Sequence, residues 1–181
     1  FYMSMKITLA VLIMFCWSSA SSQSNKFYIY ETDEYKINFP TEPVKTNEEV
    51  PSAVGPLLIT VLSFEPGEAA KDSNYVYMVI DSRYPDSSIH SDKKEMLDKF
   101  FRGAIDGAVK SSNGKIISEK TGNVGKFPSR EIEVDYGNGE AIIKIRMILK
   151  GNRMILVQTI TNKTLYPNIS SDHFYNSFKL K

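Results

Sequence analysis

Two histidines, His90 and His173, are the first candidates for proton chemistry, because imidazole is the side chain that titrates near neutral pH. A Ser-His-Asp site needs nucleophile, base and orienter in mutual reach. Serines are plentiful, yet no Gly-x-Ser-x-Gly elbow occurs. His90 precedes a predicted helix start and His173 falls in the first turn of a predicted last helix, beside Asp172, so both are expected as surface or capping residues. Metal ligation fares no better: there is no His-Glu-x-x-His and no Asp-x-Asp-x-Asp-Gly loop. Asp81 and Asp86 flank Arg83, and Glu65 and Glu68 share a loop, a weak basis for calcium that reads better as solvated surface. Gly122, Gly125, Gly137 and Gly139 lack the strand-to-helix context of a phosphate cradle. The expectation is a chain with no catalytic residue, no cofactor and no metal.

The tyrosines offer binding rather than catalysis. Tyr28, Tyr30, Tyr75, Tyr77 and Tyr84 alternate along predicted strands and would line one sheet face. Read as function, Tyr75, Tyr77 and Tyr84 form a ligand groove bordered by the 65–74 and 83–91 loops, suited to a peptide, lipid or glycan. Read as structure, they are a core face whose hydroxyls reach the rim.

One further reactive side chain, Cys16, lies in the N-terminal segment. Lys6 is followed by the apolar run Ile7 to Trp17 and then Ser18-Ser19-Ala20-Ser21, the layout of a secretory signal peptide cleaved after Ala20 or Ser22. The run is about half the ~20 residues of a membrane-spanning helix. Residues 1–4 are expected as upstream read-through before a start at Met5 or Met3. A cysteine ending such a run is a lipidation site in some exported bacterial proteins, which would tether the product to a membrane. Met14 and Phe15, too large for the lipidation enzyme, argue for a discarded cysteine instead.

Removal of residues 1–20 leaves 161 residues, one ordinary domain. It takes away the only Cys and the only Trp, so disulfides and thiolate chemistry are excluded from the product. Lys6 is the one charged residue lost, leaving 21 basic against 21 acidic residues. A formally neutral chain without like-charge blocks is a poor partner for nucleic acid. A membrane partner is expected only if Cys16 is lipidated. The predicted product is exported, periplasmic or extracellular.

The elements that would position any site follow from patterning. Residues 21–25 read as a disordered leader and 26–181 as a single domain. Residues 26–30 and 35–39 form a predicted hairpin, and residues 41–56 a polar, Pro/Gly-punctuated loop. Residues 57–64 and 75–84 are strong strand runs, the second apolar on both parities and so covered on both faces. A long helix starts at an Ser91 N-cap, with apolar positions from Met96 to Val109, and ends at Asn113 or Gly114 in a left-handed conformation. Strands at 115–120, 130–136, 141–149 and 153–161 form a meander, with Asn138-Gly139 and Gly151-Asn152 as turn pairs. A short helix, 171–177, capped by Ser170 or Ser171, closes the chain on Phe174, Tyr175 and Phe178. The sum is about eight strands and two helices: an α+β fold, an antiparallel β-sheet covered by helices. Asn162-Lys163-Thr164 and Asn168-Ile169-Ser170 match the N-glycosylation pattern and are expected as chance matches.

The order of four motifs resembles small exported bacterial proteins of PsbP-like fold. They are Tyr35-Lys36-Ile37-Asn38-Phe39-Pro40-Thr41-Glu42-Pro43; Gly125-Lys126-Phe127-Pro128-Ser129-Arg130-Glu131; Ile145-Arg146-Met147 with Gly151-Asn152-Arg153-Met154-Ile155; and Phe174 to Leu180. The chain departs from the pattern at Met154-Ile155 and at Phe127-Pro128-Ser129. The resemblance spans about residues 27–180 and implies an α/β/α sandwich and a non-enzymatic role. The metal- and partner-binding residues of the family's named members find no match here. The expected function is therefore an exported, non-catalytic binding or accessory domain. The alternatives are a lipid-tethered envelope protein of stress or assembly, and an enzyme of unrecognised type.

Overall fold

The computed structural model describes residues 27–52, 54–67, 70–85 and 87–181. The signal segment, the leader and Cys16 lie outside them. The first hairpin pairs β1 (Tyr28–Glu31) with β2 (Tyr35–Phe39), and β10 (Lys179–Leu180) adds a third strand on β2. The larger sheet is antiparallel throughout, in the order β3 (Val44–Val50), β4 (Leu57–Phe64), β5 (Asn74–Arg83), β9 (Arg153–Asn162), β8 (Ala141–Lys150), β7 (Phe127–Tyr136), β6 (Lys115–Val124). Two helices complete the fold, α1 (Lys94–Ser112) and α2 (Ile169–Ser177), with a 3-10 turn at Lys163–Leu165.

The central strands explain the two-sided apolar patterning. In β8 and β9, Ile148, Ile155 and Val157 join a core with Tyr35, Ile37 and Phe39 of β2 and with Phe174, Tyr175 and Phe178 of the α2 region. Their neighbours Met147, Leu149 and Met154 join a second core with Phe101 and Ile105 of α1. Alternate residues of a strand face opposite sides of the sheet, so α1 and α2 serve opposite faces. In β5 the fully buried apolar residues, Tyr77 and Val79, share one parity, while the other parity buries the polar Asn74 and Ser82 and leaves Met78 and Ile80 half-buried.

Several boundaries differ from the sequence reading, each for a local reason. β3 occupies part of the expected 41–56 loop. It is an edge strand, exposed at all but its last residue, so it carries polar side chains and no apolar alternation. The α1 N-cap position is Lys93, without a side-chain cap. Ser91 is drawn elsewhere: its hydroxyl accepts the Gly151 N–H at 3.1 Å. The helix ends as expected. Asn113 is left-handed at φ 50°, and the N–H groups of Asn113 and Gly114 return to the carbonyls of Lys110 and Val109, a Schellman pattern. For α2 the cap is Asn168, whose side chain accepts the Ser171 N–H at 2.8 Å, so the helix begins two residues early. β7 starts at Phe127 with Pro128 paired only to Asn123 of β6, a position that needs no second ladder bond.

Candidate functional site

The tyrosines proposed to share a groove are distributed over three environments. Tyr77 is fully buried in the first core; its hydroxyl donates to Asp72 at 2.8 Å and accepts from the Asn74 amide at 2.7 Å. Burial pushes its pKa well up. Tyr75 lies at a bulge where β5 shifts register against β9, half-exposed, with its hydroxyl accepting from the Asn162 amide at 2.8 Å. Tyr84 packs with the second core, edge-on to Phe100 at 5.1 Å. The three do not line one groove. Tyr77 serves the face opposite Tyr84, and the 65–74 and 83–91 loops sit at opposite ends of β5.

Tyr84 does line a groove, with other partners. Leu57, Tyr84, Ile89, Phe100 and Ala104 form its apolar walls, with Val54 and Met96 at an accessible margin, enclosing about 430 Å³. Its deepest residues, Leu57 and Ile89, are 5% and 1% exposed, whereas Val54 and Met96 are 43% and 40% exposed. One wall is α1, where Met96, Phe100, Gly103 and Ala104 recur at helical spacing. Gly103 has no heavy atom within 4 Å of the Cβ it lacks, so its side of the groove is open space.

The opposite wall is held by a clamp between the 84–91 segment and the β8–β9 turn. The Tyr84 N–H donates to the Asn152 carbonyl at 2.9 Å, and the Asn152 amide donates to the Tyr84 carbonyl at 2.6 Å. The Ser91 N–H donates to the Gly151 carbonyl at 2.8 Å, reciprocated by the Gly151 N–H to the Ser91 hydroxyl. Four hydrogen bonds thus fix both ends of the segment carrying Tyr84 and Ile89. Gly151-Asn152 reads in sequence as a hairpin turn; its second task as an anchor leaves no local pattern. The third side is the turn at 52–55, where the Ser52 hydroxyl donates to the Gly55 carbonyl and accepts the Val54 N–H.

Chemically the groove offers little polarity. The Ser52 and Ser88 hydroxyls are engaged with backbone carbonyls, and Lys99 is the one charged residue among the described lining residues. Burial raises the Tyr84 pKa, so its phenol stays protonated. His90 stands apart, with its Nδ1 3.3 Å from an Asp92 carboxylate oxygen. His173 stacks on Phe27 at 3.9 Å on the other side of the molecule, its Nε2 buried without a hydrogen-bond partner among the described residues. The two histidines are not brought together. Asp81 pairs with Arg153 at 3.0 Å. Among the described residues, no three His, Cys, Asp or Glu side chains are placed to hold a metal ion, and no helix is long and apolar enough to cross a membrane. Asn162 and Asn168, the two glycosylation-pattern residues, cap the 3-10 turn and α2.

No protein-family model matches the chain, and no curated protein matches it. Among solved structures the chain is similar to cyanobacterial PsbP (CyanoP) from Synechocystis sp. PCC 6803, at 11% sequence identity and a TM-score of 0.48, over 91% of this chain and 98% of that one.

Proposed function

We propose that the chain is an exported, non-catalytic binding domain of α/β/α sandwich form, whose ligand is a small molecule with an aliphatic body held in the groove between α1 and the 84–89 segment. The observation that carries this reading is the groove itself. Its volume falls within the roughly 300–1,000 Å³ of small-molecule sites, and apolar side chains dominate its lining. A glycan would need several free hydrogen-bond groups, and an extended peptide would need backbone partners; the groove's serine hydroxyls are already engaged. Export is supported by the Lys6 to Ser21 pattern and gives the domain access to envelope or extracellular lipids.

The test is fluorescence enhancement of the neutral apolar reporter N-phenyl-1-naphthylamine. Wild type is expected to bind it saturably. Gly103→Leu fills open space on the groove side of α1 and replaces a poor helix former, so it should abolish the signal without lowering the melting temperature. Reporter binding that survives Gly103→Leu would place the ligand elsewhere.

A further inference from the structure

We infer that the groove selects single-chain amphiphiles with an anionic head, a medium-chain carboxylate being the simplest, with the head on the Lys99 ammonium and the chain between Tyr84, Phe100 and Ile89. This rests on the reading of the groove as a ligand site and adds the chemistry of what it takes. Lys99 is exposed at the margin of the groove, one helical turn from both Met96 and Gly103.

Two neighbouring charges of α1 are committed elsewhere, while Glu95 stands exposed one turn before Lys99. Asp98 pairs with Arg130, and Arg102 with Asp106 and Glu119 at 3.0 Å each. Among the described residues no hydrogen bond or ion pair joins Lys99 to a carboxylate. Among the described lining residues Lys99 is therefore the one charged side chain, next to walls that accept a hydrocarbon chain. An ammonium beside an apolar slot complements a molecule with those two parts in that order.

The experiment is displacement of N-phenyl-1-naphthylamine by decanoate and by decan-1-ol, equal in chain and different in head. Near neutral pH and at low salt, decanoate should displace at about three- to fivefold lower concentration, the scale of an exposed ion pair. That preference should vanish in Lys99→Met, persist in Lys99→Arg and fade in ~0.5 M sodium chloride. Equal potency of acid and alcohol, or a preference retained in Lys99→Met, overturns the head-group assignment and leaves the groove reading standing. No reporter binding to wild type, or binding undiminished by Gly103→Leu, overturns the groove reading and this inference with it. Sedimentation with phosphatidylglycerol vesicles, without displacement by decanoate, overturns it in favour of a membrane surface.

Discussion

The hydroxyl of Tyr175 accepts the backbone N–H of Thr159 at 3.0 Å, reaching from α2 into the ladder between β8 and β9. The same hydroxyl donates to the carbonyl of Lys144, the residue facing Thr159 across that ladder. Burial raises the phenol's pKa far above the ordinary tyrosine value and keeps this donor protonated. Tyr175→Phe leaves a buried donor and a buried acceptor without this partner, which costs about 1–3 kcal/mol. Urea unfolding measures it, and an unchanged midpoint would show that the bridge does not hold α2 to the sheet.

Glycines around α1 should respond with opposite signs. A Cβ on Gly114 would stand 2.4 Å from a Val134 methyl and 2.7 Å from the Asp135 carbonyl oxygen, so Gly114→Ala forces α1 and β7 apart at an expected cost of about 1–3 kcal/mol. Gly107 has nothing within 4 Å, and Gly107→Ala should stabilise by about 0.5–1 kcal/mol through helix propensity alone. Thermal melting of both variants decides the pair; a loss at Gly107 would mean that the open face of α1 is covered in solution.

Glu34 gives the fold an acid-sensitive ion pair. A hydrogen bond and ion pair from Lys150 at 2.9 Å hold its carboxyl below the ordinary glutamate value, against an opposing effect of burial. The unfolded chain then binds the proton more readily. The stabilisation is complete above the unfolded glutamate pKa, about 4.3, and is lost as pH falls through the lower folded value. Wild type should exceed Glu34→Gln by about 0.2–1 kcal/mol near neutral pH, and the two should converge below about pH 4. Neighbouring Asp81 is raised, chiefly by burial, and works in the opposite direction, so the difference between the two proteins is the quantity to follow. A difference constant from neutral to acid would remove Glu34 from the account.

Arg130 fastens α1 to the sheet. Its guanidinium lies 4.8 Å from the Phe101 ring centroid, donates to the Ser129 carbonyl at 3.0 Å and pairs with Asp98. A lysine keeps the charge and loses the planar fork and its stacking. Arg130→Lys is expected to destabilise by about 1–2 kcal/mol, read by urea unfolding. Equal stability would show that charge alone suffices at this position.

Much of this fold is legible in the sequence because the relevant signals are local. The alternation of β8 and β9, the stripe of α1 and the left-handed Asn113 each depend on neighbours a few residues away. Two kinds of feature are not. Local pattern points to serines as the caps of both helices, yet Ser91 is claimed by Gly151, sixty residues on in sequence, and Asn168 outcompetes Ser170 at α2. The groove is the second case. Sequence alternation joins Tyr77 to Tyr84, although an odd separation of seven positions and the strand end place them on opposite faces. Its actual companions, Leu57, Ile89 and Phe100, come from three separate segments with no shared spacing. Tyr84 itself was within reach of sequence reasoning as an aromatic at the start of a loop.

The polar character that hides β3 in the sequence has a consequence of its own. As one outer strand of a seven-stranded sheet, it leaves a row of backbone donors and acceptors without a neighbour among the described residues, a template on which another chain could polymerise. Lys45, Glu48 and Glu49 stand exposed along that row, and Lys115, Glu119 and Lys120 along the far edge in β6. Residues 21–181 carry 21 basic and 21 acidic residues, so this part of the chain gains little colloidal protection from overall repulsion. Resistance to edge-to-edge association therefore falls to these two charged edges, and replacing their charges with valine or threonine is expected to favour fibre formation.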